Sequence, residues 1–202
     1  MKKFYYDLET TGTNPGQHSV HQISAIIEIG GVVKEKLNFK VAPHIKCKIN
    51  VDAMTVCGVT EEQIRSYEPM GLVFSKLEAT LSGYVDRFNK RDKFHLIGYN
   101  NRSFDDVFFR KWFQHNGSAF FGSYFWADSQ DVLTLASRIL APMRAEMPSF
   151  KLKRVAETLG IQVDPDRLHD SSYDVELTRQ CDKILTKYVT VWGSLDPSDE
   201  LY

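Results

Sequence analysis

Phe4-Tyr5-Tyr6-Asp7-Leu8-Glu9-Thr10-Thr11-Gly12 is the stretch whose reading decides the fold. It is rich in aromatic residues and ends in a Thr-Thr-Gly turn signal, so Phe4 to Glu9 is predicted to be a strand. Side chains alternate along a strand, which puts Phe4, Tyr6 and Leu8 on one face and Tyr5, Asp7 and Glu9 on the other. Two carboxylates then share a face at the strand's C-terminal end. If buried, each drives the other toward its protonated form unless cations neutralise them. Hard divalent ions with oxygen ligands are the natural partners. The plain alternative is a polar strand end fraying into water.

Downstream, Thr13-Asn14-Pro15-Gly16 is turn chemistry. Ile23 to Val33, which contains Gly30-Gly31, and Lys36 to Val41 read as strands completing a short antiparallel meander with the first. Thr60 and Gln63 have capping-box spacing and predict a short helix within Ala53 to Ile64. Val73, Phe74, Leu77, Leu81, Val85 and Phe88 fall at helical spacing across Met70 to Phe88. Phe94 to Tyr99 is a further strand, followed by a helix from near Ser103. Phe120 to Ala127 is predicted to hold another strand, leading into a helix over Asp131 to Leu140. Lys151 to Leu159 is helical and stopped by Gly160. Ser171 to about Tyr188 is the last helix. Residues 1–188 are thus expected to form one domain and 189–202 a loose acidic tail. Antiparallel strands followed by strands alternating with helices imply an α/β fold, a mixed sheet with helices on both faces.

The chain has 202 residues and a net charge of −1, which argues against a protein that coats nucleic acid through a basic surface. It leaves room for an enzyme with few local contacts. Three widely spaced cysteines, Cys47, Cys57 and Cys181, form neither a disulfide framework nor a zinc site and suggest a reducing, cytoplasmic setting. No signal peptide or membrane-spanning run is apparent.

Two more acids interrupt apolar stripes. Asp105 heads Phe108, Phe109 and Trp112, so it is expected to face the sheet. Asp106, with Arg110 at helical spacing, suits an ordinary first-turn role better. Asp174 heads Leu177, Cys181, Ile184 and Tyr188 in the last helix. Asp170 or Ser171 is the expected N-cap, and His169 just before it has a pKa near working pH that suits a general base. Four inward carboxylates would be destabilising without metal. Two divalent ions about 4 Å apart would neutralise them and clamp the oxygens of an in-line phosphoryl displacement. Only the fold can bring the four together.

Asp7-Leu8-Glu9-Thr10-Thr11-Gly12, Asn101-x-x-Phe104-Asp105 and His169-x-x-x-x-Asp174 resemble the three motifs of the DEDDh 3′–5′ exonucleases, relatives of the bacterial DNA polymerase III epsilon proofreading subunit. Gln22 to Gly31, Ala53 to Ile64 and Leu152 to Ile161 resemble the family's second strand, its Gly-Ile-Thr segment and its late helix. The likeness covers about residues 3 to 188, and three motifs in order are far more specific than any one. It implies a ribonuclease H-like fold with five strands, the first three antiparallel and the rest parallel. It further implies that Asp7, Glu9, Asp105 and Asp174 ligate two Mg²⁺ or Mn²⁺ ions, with Asp7 bridging them. His169 would take the proton of the attacking water, and a nucleoside 5′-monophosphate would leave. Leu8, Thr10, Thr11, Asn101 and Phe104 would hold the terminal nucleotide of a single-stranded 3′ end, DNA rather than RNA, with a polymerase as a possible partner.

The chain departs from the family at Asn100, often His, and at Ser171, commonly Ala. The aromatic residues Phe120, Phe121, Tyr124, Phe125 and Trp126 are either base-stacking surface or core. Lys151, Lys153 and Arg154 either guide phosphates or form a solvated helix face. The alternatives are an RNA-trimming exoribonuclease of the same superfamily, a non-catalytic docking module for nucleic acid or a polymerase, and a structural domain with unrelated surface acids.

Overall fold

Gly30 and Gly31 divide what reads as one β-rich run. Both have positive φ, +60° and +83°, the pair of left-handed conformations a two-residue hairpin turn requires. In the computed structural model, which describes residues 1–167 and 170–192, strand β2 therefore spans Val20–Ile29 and β3 spans Val32–Lys40. They follow β1, Lys2–Thr10. Helices α1 (Val51–Cys57), α2 (Glu61–Arg65) and α3 (Met70–Tyr84) come next. Then follow β4 (His95–Gly98), α4 (Asp105–His115), α5 (Phe121–Tyr124) and β5 (Gln130–Asp131). Helices α6 (Val132–Ile139), α7 (Leu152–Thr158) and α8 (Ser171–Trp192) complete the chain.

The sheet order is β3-β2-β1-β4-β5. β1 lies at its centre, antiparallel to β2 and parallel to β4, and β4 is parallel to β5. This is the mixed five-stranded arrangement expected of the chain. Alternation along β1 sorts the core into two layers. Phe4, Tyr6 and Leu8 pack with Val73, Leu77 and Leu81 of α3 and Phe108, Phe109 and Trp112 of α4. Tyr5 faces the opposite layer with Val132 and Ala136 of α6, Val155 of α7, and Val175, Leu177 and Cys181 of α8.

Several local expectations are revised. Asn50 caps an additional helix, α1, accepting from the Asp52 and Ala53 amides, and the Thr60–Gln63 capping box starts α2. The strand expected within Phe120 to Ala127 is instead the short helix α5, because Phe121 and Tyr124 turn inward to the core three residues apart. Only Phe125 bridges to Phe94, and the paired strand lies further on. Helix α3 stops at Val85, leaving Phe88 84% exposed. Helix α8 buries Leu185 rather than Tyr188 and runs to Trp192, past the expected helix end near Tyr188. Of the expected tail, residues 193–202 lie outside the described residues. No described helix is long and apolar enough to cross a membrane.

Candidate active site

Asp7 and Glu9 sit at the C-terminal end of β1, on the face that meets α8. The β2 residue opposite Asp7 is Ser24, whose hydroxyl lies 2.6 Å from that of Ser171 at the start of α8. That contact pins the helix terminus beside Asp7 and gives Ser171 a use that alanine would lack. Asp170 caps the helix, accepting from the Ser172 amide at 3.0 Å, and Asp174 follows in the first turn. Two turns further along α8, Asp182 takes hydrogen bonds from Tyr5 and Lys3, both at 2.7 Å. The helix is thus tied to β1 and β2 on either side of the acids.

Asp105 arrives from the other layer. Pairing between β1 and β4 ends at Tyr5 and Ile97, and the Leu8 amide beyond it donates instead to Asp105 Oδ1 at 3.1 Å. Asp105 therefore continues the sheet's hydrogen bonding as a side chain, at the edge where Asp7 and Glu9 emerge. The turn leading to it depends on two residues. Asn100 has φ +58°, a conformation Asn tolerates better than most residues. Gly98 leaves room for Asn101, since a Cβ there would lie 2.6 Å from the Asn101 Cβ.

Asp106 corrects the expectation of an ordinary first-turn acid. It is buried and accepts from the Tyr6 hydroxyl, the Ser129 hydroxyl and the Asn101 amide. It ties β1, the turn after β4 and the segment before β5 into one network. Helical spacing alone placed it near Arg110; only the tertiary fold brings the three donors.

The charges of the acids act on one another. The Asp7 carboxyl is held well above the usual range, first by burial, then by the charges of Asp105, Glu9 and Asp174. Asp105 is pushed up to about 7 by burial, against the lowering effect of the Leu8 amide. Cys57, at the end of α1, donates its thiol to Glu9 Oε2 at 3.1 Å. Burial, then Glu9 and Asp7, push that thiol up to about 12. Nothing in the sequence motifs marks Cys57 as a neighbour of Glu9. Among the described residues no three acidic, thiol or imidazole groups already stand in metal-coordinating geometry, so the acids crowd one another without closing into a cage. The donors are nonetheless carboxylate oxygens, the type that suits hard divalent ions.

His169 lies outside the described residues. Leu8, Thr10, Thr11 and Asn101 are buried. The Thr10 hydroxyl donates to the Gly12 carbonyl at 2.9 Å, and that of Thr11 to the Lys48 carbonyl at 2.8 Å. The two threonine hydroxyls thus shape the loop that follows β1. Phe104 is half-buried, its ring 4.9 Å from that of Phe108. Phe121, Tyr124 and Phe125 belong to the core, while Phe120 is exposed. Lys151, Lys153 and Arg154 are exposed around the start of α7.

Residues 4–180 match the family model described as exonuclease, RNase_T. The chain belongs to this exonuclease family. It is of the DEDD, DnaQ-like group that its three motifs resemble. A curated relative, the PolC-type DNA polymerase III of Mycoplasmopsis pulmonis (strain UAB CTIP), is 27% identical over 170 residues, 84% of this chain and 10% of that protein. Exodeoxyribonuclease I of Escherichia coli (strain K12) is 26% identical over 190 residues, 86% of this chain and 38% of that protein. The chain thus spans well under half of either relative. The fold matches the zinc-bound E. coli exonuclease I complex with single-stranded DNA at a TM-score of 0.73, with 24% identity over 94% of this chain and 43% of that one. The same enzyme with a dA16 oligonucleotide matches at 0.72, with 24% identity and the same coverage.

Proposed function

We propose that this exonuclease domain removes nucleotides one at a time from single-stranded 3′ ends, DNA in preference to RNA, releasing nucleoside 5′-monophosphates. The observation that carries this reading is Asp105, held at the end of β1 by the amide of Leu8, between Asp7 and Glu9, at 3.1 Å; the charges of Asp105, Glu9 and Asp174 press on the buried Asp7 carboxyl there. Inward carboxylates that act on one another at one strand end call for cations to neutralise them. Asp7, Glu9, Asp105 and Asp174 would hold two Mg²⁺ or Mn²⁺ ions. When bound, such ions neutralise the acids and stabilise the charge that develops on a phosphodiester under attack.

The chain's own groups supply the rest. Asp105, fixed by the Leu8 amide, and Asp174, fixed through Ser171, would keep the acids apart at a set distance. His169 is assigned the proton of the attacking water on its motif spacing alone. Phe104 offers the terminal base an aromatic surface, and the backbone of Leu8, Thr10 and Thr11 would border the sugar. Asn101 supports this seat from beneath by holding Asp106. The exodeoxyribonuclease relative supports DNA as substrate, and the PolC-type relative supports a polymerase partner. Three free cysteines suit a cytoplasmic setting, and the catalytic unit would extend through α8.

The test is incubation with 3′- and 5′-end-labelled single-stranded DNA and RNA in Mg²⁺, Mn²⁺ or EDTA, beside an Asp7→Ala control. Metal-dependent shortening from the 3′ end, abolished in the control, is expected, faster on DNA. Faster shortening of RNA would favour the exoribonuclease alternative. No shortening of either by the folded protein would overturn the catalytic reading and leave a docking module.

A further inference from the structure

At the opposite end of β4 from the acids lies a surface that the catalytic reading does not use. Phe88 is 84% and Phe120 57% exposed, and the Arg87 guanidinium lies over both rings, 5.0 and 5.8 Å from their centroids. Adjoining them, Lys93 stands 5.4 Å over the Trp126 ring and donates to the Gly122 carbonyl. Single exposed apolar residues need no explanation. Here two groups of aromatic faces and cations lie in segments joined by the Lys93–Gly122 contact, two residues from Phe120, which sets them in one strip.

The local charge is also one-sided. Lys90 and Arg91 are exposed in the same loop. Of the acids nearby, Asp92 is paired with Lys2 at 2.5 Å, while Asp86, which accepts from the Phe88 amide at 3.0 Å, and the exposed Asp128 offset only part of Arg87, Lys90, Arg91 and Lys93. On a chain whose net charge is −1, this is a local concentration of cations. Aromatic faces beside a positive track are the combination that holds single strands without reading sequence: bases stack and phosphates pair. The strip connects to the acids along α4, whose Val107, Arg110 and Gln114 share one face at helical spacing. Arg110 itself lies 4.3 Å over the Phe121 ring.

We propose that this strip is a second seat for single-stranded nucleic acid, holding the part of the strand upstream of the end being trimmed. The placement rests on the catalytic reading above. Helix α4, with 11 residues, spans ~16 Å between the two places. At ~3.4 Å per stacked nucleotide, a strand seated at the acids reaches the strip after ~5 nucleotides. Short oligonucleotides therefore engage only the acids, and longer ones engage both.

The test compares the unaltered protein with an Arg87→Ala/Phe88→Ala/Phe120→Ala variant, three surface changes remote from the acids. Binding of fluorescein-labelled oligo-dT of about 20 nucleotides is followed by anisotropy in EDTA, where no cleavage is needed, and a trinucleotide, which needs the cations to be held at the acids, is followed by its hydrolysis in Mg²⁺. The expected result is binding of the long strand weakened about tenfold or more in the variant, with KM and kcat for the trinucleotide unchanged. In Mg²⁺ the variant's KM for the long strand rises by a similar factor while kcat holds. Equal loss on both lengths, no loss on either, or no length dependence in the unaltered protein would overturn the proposal; no loss on either would assign the strip to another class of partner, such as a protein. Should neither strand be hydrolysed, the catalytic reading fails while the anisotropy still decides this one.

Discussion

Replacing Asp105 with asparagine should stabilise the metal-free protein while removing a residue of the proposed catalytic centre. Burial pushes the Asp105 carboxyl up from 3.8 to about 7. The folded protein therefore holds a proton that the unfolded chain has already released anywhere between those values. By linkage, stability falls as pH rises through that window and is flat above it. The difference corresponds to ~4 kcal/mol at pH 8, an upper limit because part of the repulsion is shared with the neighbouring acids. Asparagine keeps an oxygen to accept the Leu8 amide, now 3.1 Å away, and its amino group finds acceptors among the surrounding carboxylates. Urea denaturation in EDTA should show the variant more stable by ~1–4 kcal/mol at pH 8 and by much less at pH 5. Added Mg²⁺ should then stabilise the unaltered protein and have less effect on the variant, since only the former keeps the full ligand set. A variant no more stable than the unaltered protein in EDTA at pH 8 would refute the reasoning: burial beside the other acids would not be holding the Asp105 carboxyl above its usual range, and the case for a cation centre would lose its physical basis.

Other outcomes follow from the same geometry. His21 is buried and its pKa is pushed down to about 4 by burial, so between that value and 6.5 the fold binds fewer protons than the unfolded chain and stability falls as pH is lowered. His21→Leu should remove ~3 kcal/mol of that acid sensitivity, read from denaturation midpoints at pH 7 and pH 4. Tyr6→Phe deletes a donor to the buried Asp106 carboxylate and should cost ~1–3 kcal/mol in urea denaturation. Gly98→Ala would set a Cβ 2.6 Å from the Asn101 Cβ; it should cost ~1–3 kcal/mol and lower nuclease activity more than Tyr6→Phe does, because the Asn101–Asp105 turn must shift.

What the sequence disclosed was whatever strand and helix periodicity governs. Alternation placed Asp7 and Glu9 on Tyr5's face, and the 3.6-residue stripe placed Asp105 above Phe108 and Phe109; both follow from local geometry and both hold. Asp106 shows where periodicity stops being informative. Its position on α4 is local, but its environment consists of Tyr6, Asn101 and Ser129, the first 100 residues away in sequence. Cys57 meets Glu9 for the same kind of reason, across 48 residues. The strand misplaced at Phe120 to Ala127 had β-forming aromatic residues, yet Phe121 and Tyr124 serve the core from a helical turn. Tertiary packing overrode propensity there, as it does where large side chains must fill one cavity.

A centre made of carboxylates repels the phosphates it is meant to cleave until cations reverse its sign. That leaves such a protein with little electrostatic attraction for its substrate at the site itself and makes the placement of positive charge elsewhere consequential. Here one cluster of it, Arg87, Lys90, Arg91 and Lys93, gathers at the end of the sheet away from Asp7, the end where Lys3 is tied to Asp182. Separating the two keeps the lysines and arginines from neutralising the acids that must hold metal. The division predicts opposite salt responses. Raising ionic strength should weaken the grip on long strands through the distal cations, with little effect on the turnover of a trinucleotide already seated at the acids. Equal salt sensitivity for both lengths would mean that the cations act at the centre, contrary to their position in the fold.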